Sequence, residues 1–94
     1  NADETFALRV RGDSMIEEHI TEGDYVIIKR QATADKGDIV AALIDDEVTL
    51  KKYFPKGNMI ELVPANSSMS PIIVHKGDKQ IRLLGKMVGL LRKV

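Results

Sequence analysis

Gly37-Asp38-Ile39-Val40-Ala41-Ala42-Leu43-Ile44-Asp45-Asp46-Glu47-Val48-Thr49-Leu50-Lys51-Lys52-Tyr53-Phe54 sets two kinds of strand signal side by side. Ile39–Ile44 is an unbroken apolar run, the pattern of a strand buried on both faces. Glu47–Phe54 alternates, with Val48 and Leu50 pointing one way and Glu47, Thr49 and Lys51 the other. The three acids at the entry to the second run read as a solvated turn rather than a metal site. A Gly-Asp pair opens the stretch, and similar pairs recur along the chain at Gly12-Asp13, Gly23-Asp24, Gly57-Asn58 and Gly77-Asp78.

Outward from this stretch the same grammar holds. Thr5–Val10 alternates, with Phe6, Leu8 and Val10 on one face and Ala7 and Arg9 on the other. Tyr25–Lys29 is a second continuous apolar run, read as buried on both faces. Met59–Val63, Ile72–Val74, Ile81–Leu84 and Met87–Leu91 bring the strand candidates to about eight. The one helical candidate, Ser14–Ile20, is short. Brief apolar runs separated by turns predict an all-β domain of the sandwich or barrel-like class. There is no linker, low-complexity stretch or convincing internal repeat.

Ninety-four residues fit one domain with a modest core, which association would help. Fourteen basic residues balance fourteen acidic ones, and a net charge near zero argues against a concentrated surface for gripping nucleic-acid phosphates. The absence of cysteine excludes disulfides, thiol catalysis and thiolate metal sites. No apolar run approaches the ~20 residues that span a bilayer, and no signal-peptide pattern opens the chain. The expectation is a soluble, cytoplasmic protein without metal or cofactor.

Chemistry concentrates around Ser14. A glycine two residues ahead permits a tight turn that exposes the hydroxyl, and the start of a helical turn offers free backbone N–H groups to a developing oxyanion. Ser14 followed by Glu17 is also a capping box, in which the hydroxyl caps the turn and the carboxylate reaches back. A serine nucleophile needs a base, and the only histidines are His19 and His75. His19 sits on the same short turn, directed away from the hydroxyl, and His75 precedes a Lys-Gly-Asp turn. The remaining activator is a lysine kept neutral by burial. Lys51 and Lys52 are embedded in a strand between Leu50 and Tyr53, and the residues alone do not choose between them or exclude a solvated role for both.

The ordered set Arg11-Gly12-Asp13-Ser14-Met15, Gly23-Asp24-Tyr25-Val26, Gly37-Asp38-Ile39-Val40-Ala41 and Asp45–Lys51 resembles the LexA family. The likeness continues through Leu62-Val63-Pro64-Ala65-Asn66, Pro71-Ile72-Ile73-Val74 and Gly85-Lys86-Met87-Val88-Gly89, covering nearly the whole chain. It implies a small catalytic domain of short, highly twisted antiparallel strands with one short helical turn, spanning residues 1–94. It also implies Ser14 as nucleophile and Lys51, not Lys52, as base of a self-cleaving serine peptidase; the 37 positions between them fit the family. Backbone N–H groups around Ser14 and Met15 would form the oxyanion pocket, and the Thr49 hydroxyl, two residues before Lys51 on the same face, would orient the amine or the substrate.

Members of that family carry an N-terminal winged helix-turn-helix domain that reads operator DNA, followed by a cleavage loop with an Ala-Gly bond. Thirteen residues precede Ser14 and no Ala-Gly pair occurs, so both are expected to lie outside this chain. The resemblance further implies a homodimer formed through the C-terminal strand, the upstream loop as substrate, and RecA filament as co-activator of cleavage in the SOS response to DNA damage. A UmuD-like or phage-repressor-like autopeptidase and a non-catalytic dimerisation module, with Ser14 only a cap, are the alternatives.

Overall fold

Asp45 and Asp46 both take left-handed backbone angles, with φ of 48° and 70°. Positive φ at both central positions gives a two-residue turn whose twist matches that of the flanking strands. The chain therefore folds back at once, and β3 (Ile39–Ile44) pairs with β4 (Glu47–Lys56) without a break from Ile44↔Glu47 to Ile39↔Lys52. This hairpin is the middle of the molecule. In the computed structural model, which describes residues 4–78 and 80–93, it is joined by β1 (Thr5–Arg9), β2 (Tyr25–Arg30), β5 (Met59–Val63), β6 (Ile72–His75) and β7 (Ile81–Leu91). All seven form one sheet in the order β1-β2-β7-β3-β4-β5-β6, and every neighbouring pair is antiparallel.

The all-β expectation holds, with three corrections. Ile81–Leu84 and Met87–Leu91 are not two strands but the halves of β7, so there are seven among the described residues. Gly85-Lys86 does not turn. Gly85 lies where β7 passes so close to β2 that an added Cβ would stand 2.1 Å from the Lys29 carbonyl oxygen. The β7 register skips Val88 against β2 and Leu84 against β3, and such bulges bend and twist a strand. A single sheet can thus curl around its own core.

Second, β2 is not buried on both faces. Val26 and Ile28 are inside and Tyr25 is exposed, because apolar packing covers only one side of an antiparallel sheet here. Third, the helical segment shrinks to one 3₁₀ turn, η1 (Ile16–Glu18), closed by His19 in the left-handed conformation at φ 60°.

The core has two parts, and β3 separates them. Ala41 packs with Val26, Ile28, Leu50, Met15 and Ile20, whereas Val40 and Ala42 pack with Leu62 and Val74. Met15 and Ile20 are fully buried on either side of η1. Burying two such side chains contributes roughly 1.5–3 kcal/mol each, so the irregular segment after Ser14 is anchored by its ends rather than by helical hydrogen bonds.

Candidate active site

The chain leaves β1 through buried Val10, turns at Gly12 with φ 78°, and reaches a half-buried Ser14 next to fully buried Met15. The capping box does not form. η1 begins at Ile16, its cap position is Met15, and no side chain caps it. Glu17, expected to reach back, instead accepts the Ser67 backbone N–H at 2.7 Å. A single 3₁₀ turn places the carboxylate over the β5–β6 loop rather than over its own start. Among the described residues the Ser14 hydroxyl, the Ser14 N–H and the Met15 N–H have no intramolecular hydrogen-bond partner. Both backbone donors are therefore free to meet a developing negative charge.

Lys51 is 5% exposed, and with Asp24 it is one of two buried charged residues among those described. Its amine donates to Thr49 Oγ1 and, at 3.1 Å, to the Leu50 carbonyl oxygen. No carboxylate among the described residues pairs with it. Desolvation consequently pushes its pKa below the ordinary lysine value. Lys52, the adjacent candidate, points to the other face of β4 and forms an ion pair with Glu18 at 3.0 Å, with about a third of its side chain exposed. One lysine is held as a surface cation and the other has no counter-charge among the described residues.

A cleft of about 540 Å³ lies between the end of β1 and the first half of β4. Ser14 and Met15 line one wall and Val48, Thr49 and Leu50 the other. The structure so brings Ser14, Met15 and Thr49 to one cavity, with Lys51 hydrogen-bonded to the Thr49 hydroxyl at its wall. It does not join Ser14 to Lys51 by a hydrogen bond among the described residues. Val48 is 41% exposed although apolar, and it opens onto this cleft. Strand β4 thus inverts the usual rule, showing a valine to solvent and hiding a lysine. His19 and His75 are both exposed; His75 lines a different hollow, among residues of β4, β5 and β6. No group of three or more metal-ligating side chains occurs among the described residues, and no helix is long and apolar enough to cross a membrane.

Compared with known proteins, residues 1–88 match the family described as Peptidase S24-like. The chain belongs to this peptidase family. This S24-like chain is 56% identical over 91 residues to a LexA repressor of Thermotoga neapolitana, covering 97% of the chain and 45% of the relative. It is 55% identical to a LexA repressor of Moorella thermoacetica, with 97% and 42% covered, and 52% identical to one of Sorangium cellulosum, with 97% and 40% covered. The S24-like domain spans a little under half the length of these relatives.

Two contacts of the S24-like chain were not read from the sequence, although Asn66 lies in the Pro64-Ala65-Asn66 block that carries the family likeness. Asn66 donates its amide to the Asp13 carbonyl oxygen at 2.9 Å across 53 positions. Arg92 grips Asp24 with two hydrogen bonds, of 2.9 and 2.8 Å, and reaches the His19 carbonyl oxygen at 2.7 Å. Each joins residues remote in sequence, and neither lies on a repeating pattern. Asp24 is 3% exposed, and the Arg92 hydrogen bonds, with the Thr21 N–H, hold its carboxyl far below the usual carboxylate range.

Proposed function

We propose that this chain is the self-cleaving catalytic domain of a LexA-type transcriptional repressor, with Ser14 as nucleophile and neutral Lys51 as base. The burial of Lys51 with no counter-charge among the described residues, against the hydroxyl that lines the Ser14 cleft, carries the reading. An ordinary lysine, pKa ~10.4, holds its proton at pH 7 and is a poor base. Lys51 is already shifted toward neutrality, and an apolar segment covering the cleft would shift it further.

In the cleavage step the neutral Lys51 amine accepts the Ser14 hydroxyl proton while Oγ bonds to the scissile carbonyl carbon. The oxygen that gains charge is received by the Ser14 and Met15 N–H groups. Lys51 then gives that proton to the leaving nitrogen as the scissile C–N bond breaks, and the Lys51 amine, neutral again, deprotonates the water that hydrolyses the acyl ester. Thr49 orients the amine.

The backbone suggests how a substrate enters. Tyr53 turns its N–H and C=O to the β3 side, bonding Asp38 and Gly37, and alternation makes Lys51 and Thr49 do the same. The backbone groups of Val48 and Leu50 consequently face the cleft, where β5 does not extend. A peptide can add there as an extended strand.

The match to LexA repressors over their catalytic portion supports further assignments. These are an upstream cleavage loop as natural substrate, a winged helix-turn-helix domain for operator DNA, RecA filament as co-activator in the SOS response, and a homodimer in the bacterial cytoplasm. Beyond Lys86, where β3 ends, the edge of β7 opposite β2 is open and carries exposed Val88 and Leu91, an apolar edge suited to a two-fold mate.

The test is self-cleavage of the full-length protein. Ser14→Ala and Lys51→Ala should each abolish it while preserving the circular-dichroism spectrum. Cleavage at the normal rate in Ser14→Ala would refute the assignment.

A further inference from the structure

Three hydrogen bonds stitch the loop after β5 to the segment that carries Ser14. Glu17 N–H donates to the Ala65 carbonyl oxygen at 2.8 Å, Ser67 N–H to Glu17 Oε2 at 2.7 Å, and Asn66 Nδ2 to the Asp13 carbonyl oxygen at 2.9 Å. The first two hold η1. The third acts on the peptide unit that joins Asp13 to Ser14.

A trans peptide is planar, with its C=O and N–H directed oppositely. Fixing the Asp13 oxygen therefore fixes the direction of the Ser14 N–H. That oxygen accepts from Asn66 and, more weakly, from Ile16 N–H at 3.3 Å. The Ser14 N–H on the far side of the plane has no partner among the described residues. This donor belongs to a half-buried residue lining the cleft, where it can meet an incoming acceptor. The local contact to the Asp13 oxygen, from Ile16 N–H, is the longer of the two, so the Asn66 amide supplies the shorter hold on the plane. Asn66 is itself held: its Oδ1 accepts Ser68 N–H at 3.0 Å and Ser68 Oγ at 2.7 Å, which directs the amide nitrogen to Asp13.

We propose that Asn66 is a positioning residue for the cleavage reaction, clamping the Asp13–Ser14 peptide so that the Ser14 N–H faces the cleft as an oxyanion donor. This rests on the serine–lysine reading above and adds a residue that touches neither the substrate nor the base.

The experiment measures self-cleavage of the full-length protein from pH 6 to 10 in wild type, Asn66→Ala, Asn66→Asp, Ser14→Ala and Lys51→Ala. Asn66→Asp keeps the size and the acceptor for Ser68 but replaces the donor to Asp13 by a carboxylate oxygen. Both Asn66 variants should lose on the order of 10–100-fold in limiting rate, because a misdirected donor weakens only the transition state. In Asn66→Ala the pH midpoint should stay at the wild-type value, since no charge is added or removed near Lys51. Asn66→Asp cleaving at the wild-type rate, or an Asn66→Ala slowing that appears only as a displaced pH midpoint, would overturn the clamp. Activity surviving in Ser14→Ala would instead overturn the dyad; loss in Ser14→Ala with full activity in both Asn66 variants would overturn the clamp alone.

Discussion

The two walls of the cleft are built by different means. Lys51 stands on a regular strand and takes its hydrogen bonds from residues one and two positions away, Leu50 and Thr49. Ser14 stands on an irregular segment and makes none of its own among the described residues. Its position is set from afar, by Asn66 and Ala65 across the β5–β6 loop and by Arg92 at the other end of the chain. The proposed base is thus a local device and the proposed nucleophile a tertiary one. Damage to the β4 wall should alter proton chemistry, and damage to the turn should alter geometry and stability.

The largest expected effect lies on the β4 side. Self-cleavage should rise about tenfold per pH unit below the apparent pKa of Lys51, because only the neutral fraction is competent, and should level off below the ordinary lysine value. Lys51→Arg should be inactive from pH 6 to 10, since guanidinium stays protonated. A plateau complete by pH 7.5, retained in Lys51→Ala and lost in His19→Ala, would transfer the base to histidine.

Next comes the far anchor of the turn. Asp24→Asn and Arg92→Ala should lower the thermal midpoint at pH 7, by breaking the grip on a buried carboxylate. Asp24 has a depressed folded pKa, so its stabilisation is present above the unfolded carboxylate pKa of ~3.9 and is lost as pH falls below it. Melting curves of wild type and Asp24→Asn should therefore converge in acid, and a difference that persists undiminished at pH 2 would contradict this linkage.

A smaller effect, of opposite sign, belongs to Lys51. Its folded pKa is lowered, so below the unfolded value of ~10.4 its burial costs stability, and the cost disappears as pH rises. Lys51→Met should be more stable than wild type in denaturant titrations at pH 7, with the gap closing toward pH 10. A gap independent of pH would mean that packing, not charge, sets it.

Smallest of all is Ser14→Ala. A helix-capping serine would cost ~1 kcal/mol on removal. Ser14 caps nothing, so unfolding free energies of the two proteins should agree within about 0.5 kcal/mol. A full capping loss would restore the capping box.

The amino-acid order by itself determined the β class, a turn at Asp45-Asp46-Glu47, the boundaries of β3 and β5, and Ser14, Lys51 and Lys52 as candidates. These depend on short-range facts: side-chain alternation, turn residues and the order of motifs. It split β7 in two because Gly85 reads locally as punctuation; only the approach of Lys29 shows that the glycine is there to let two strands touch. The capping box was equally local, and it failed because Glu17 found a better partner fifty positions away. The physical difference between Lys51 and Lys52 also required the fold, which pairs Lys52 with Glu18 and buries Lys51 with no acid partner among the described residues. Spacing fixes which face of a strand a side chain takes. What waits on that face, water, a counter-charge or a distant amide, is decided only when remote segments meet.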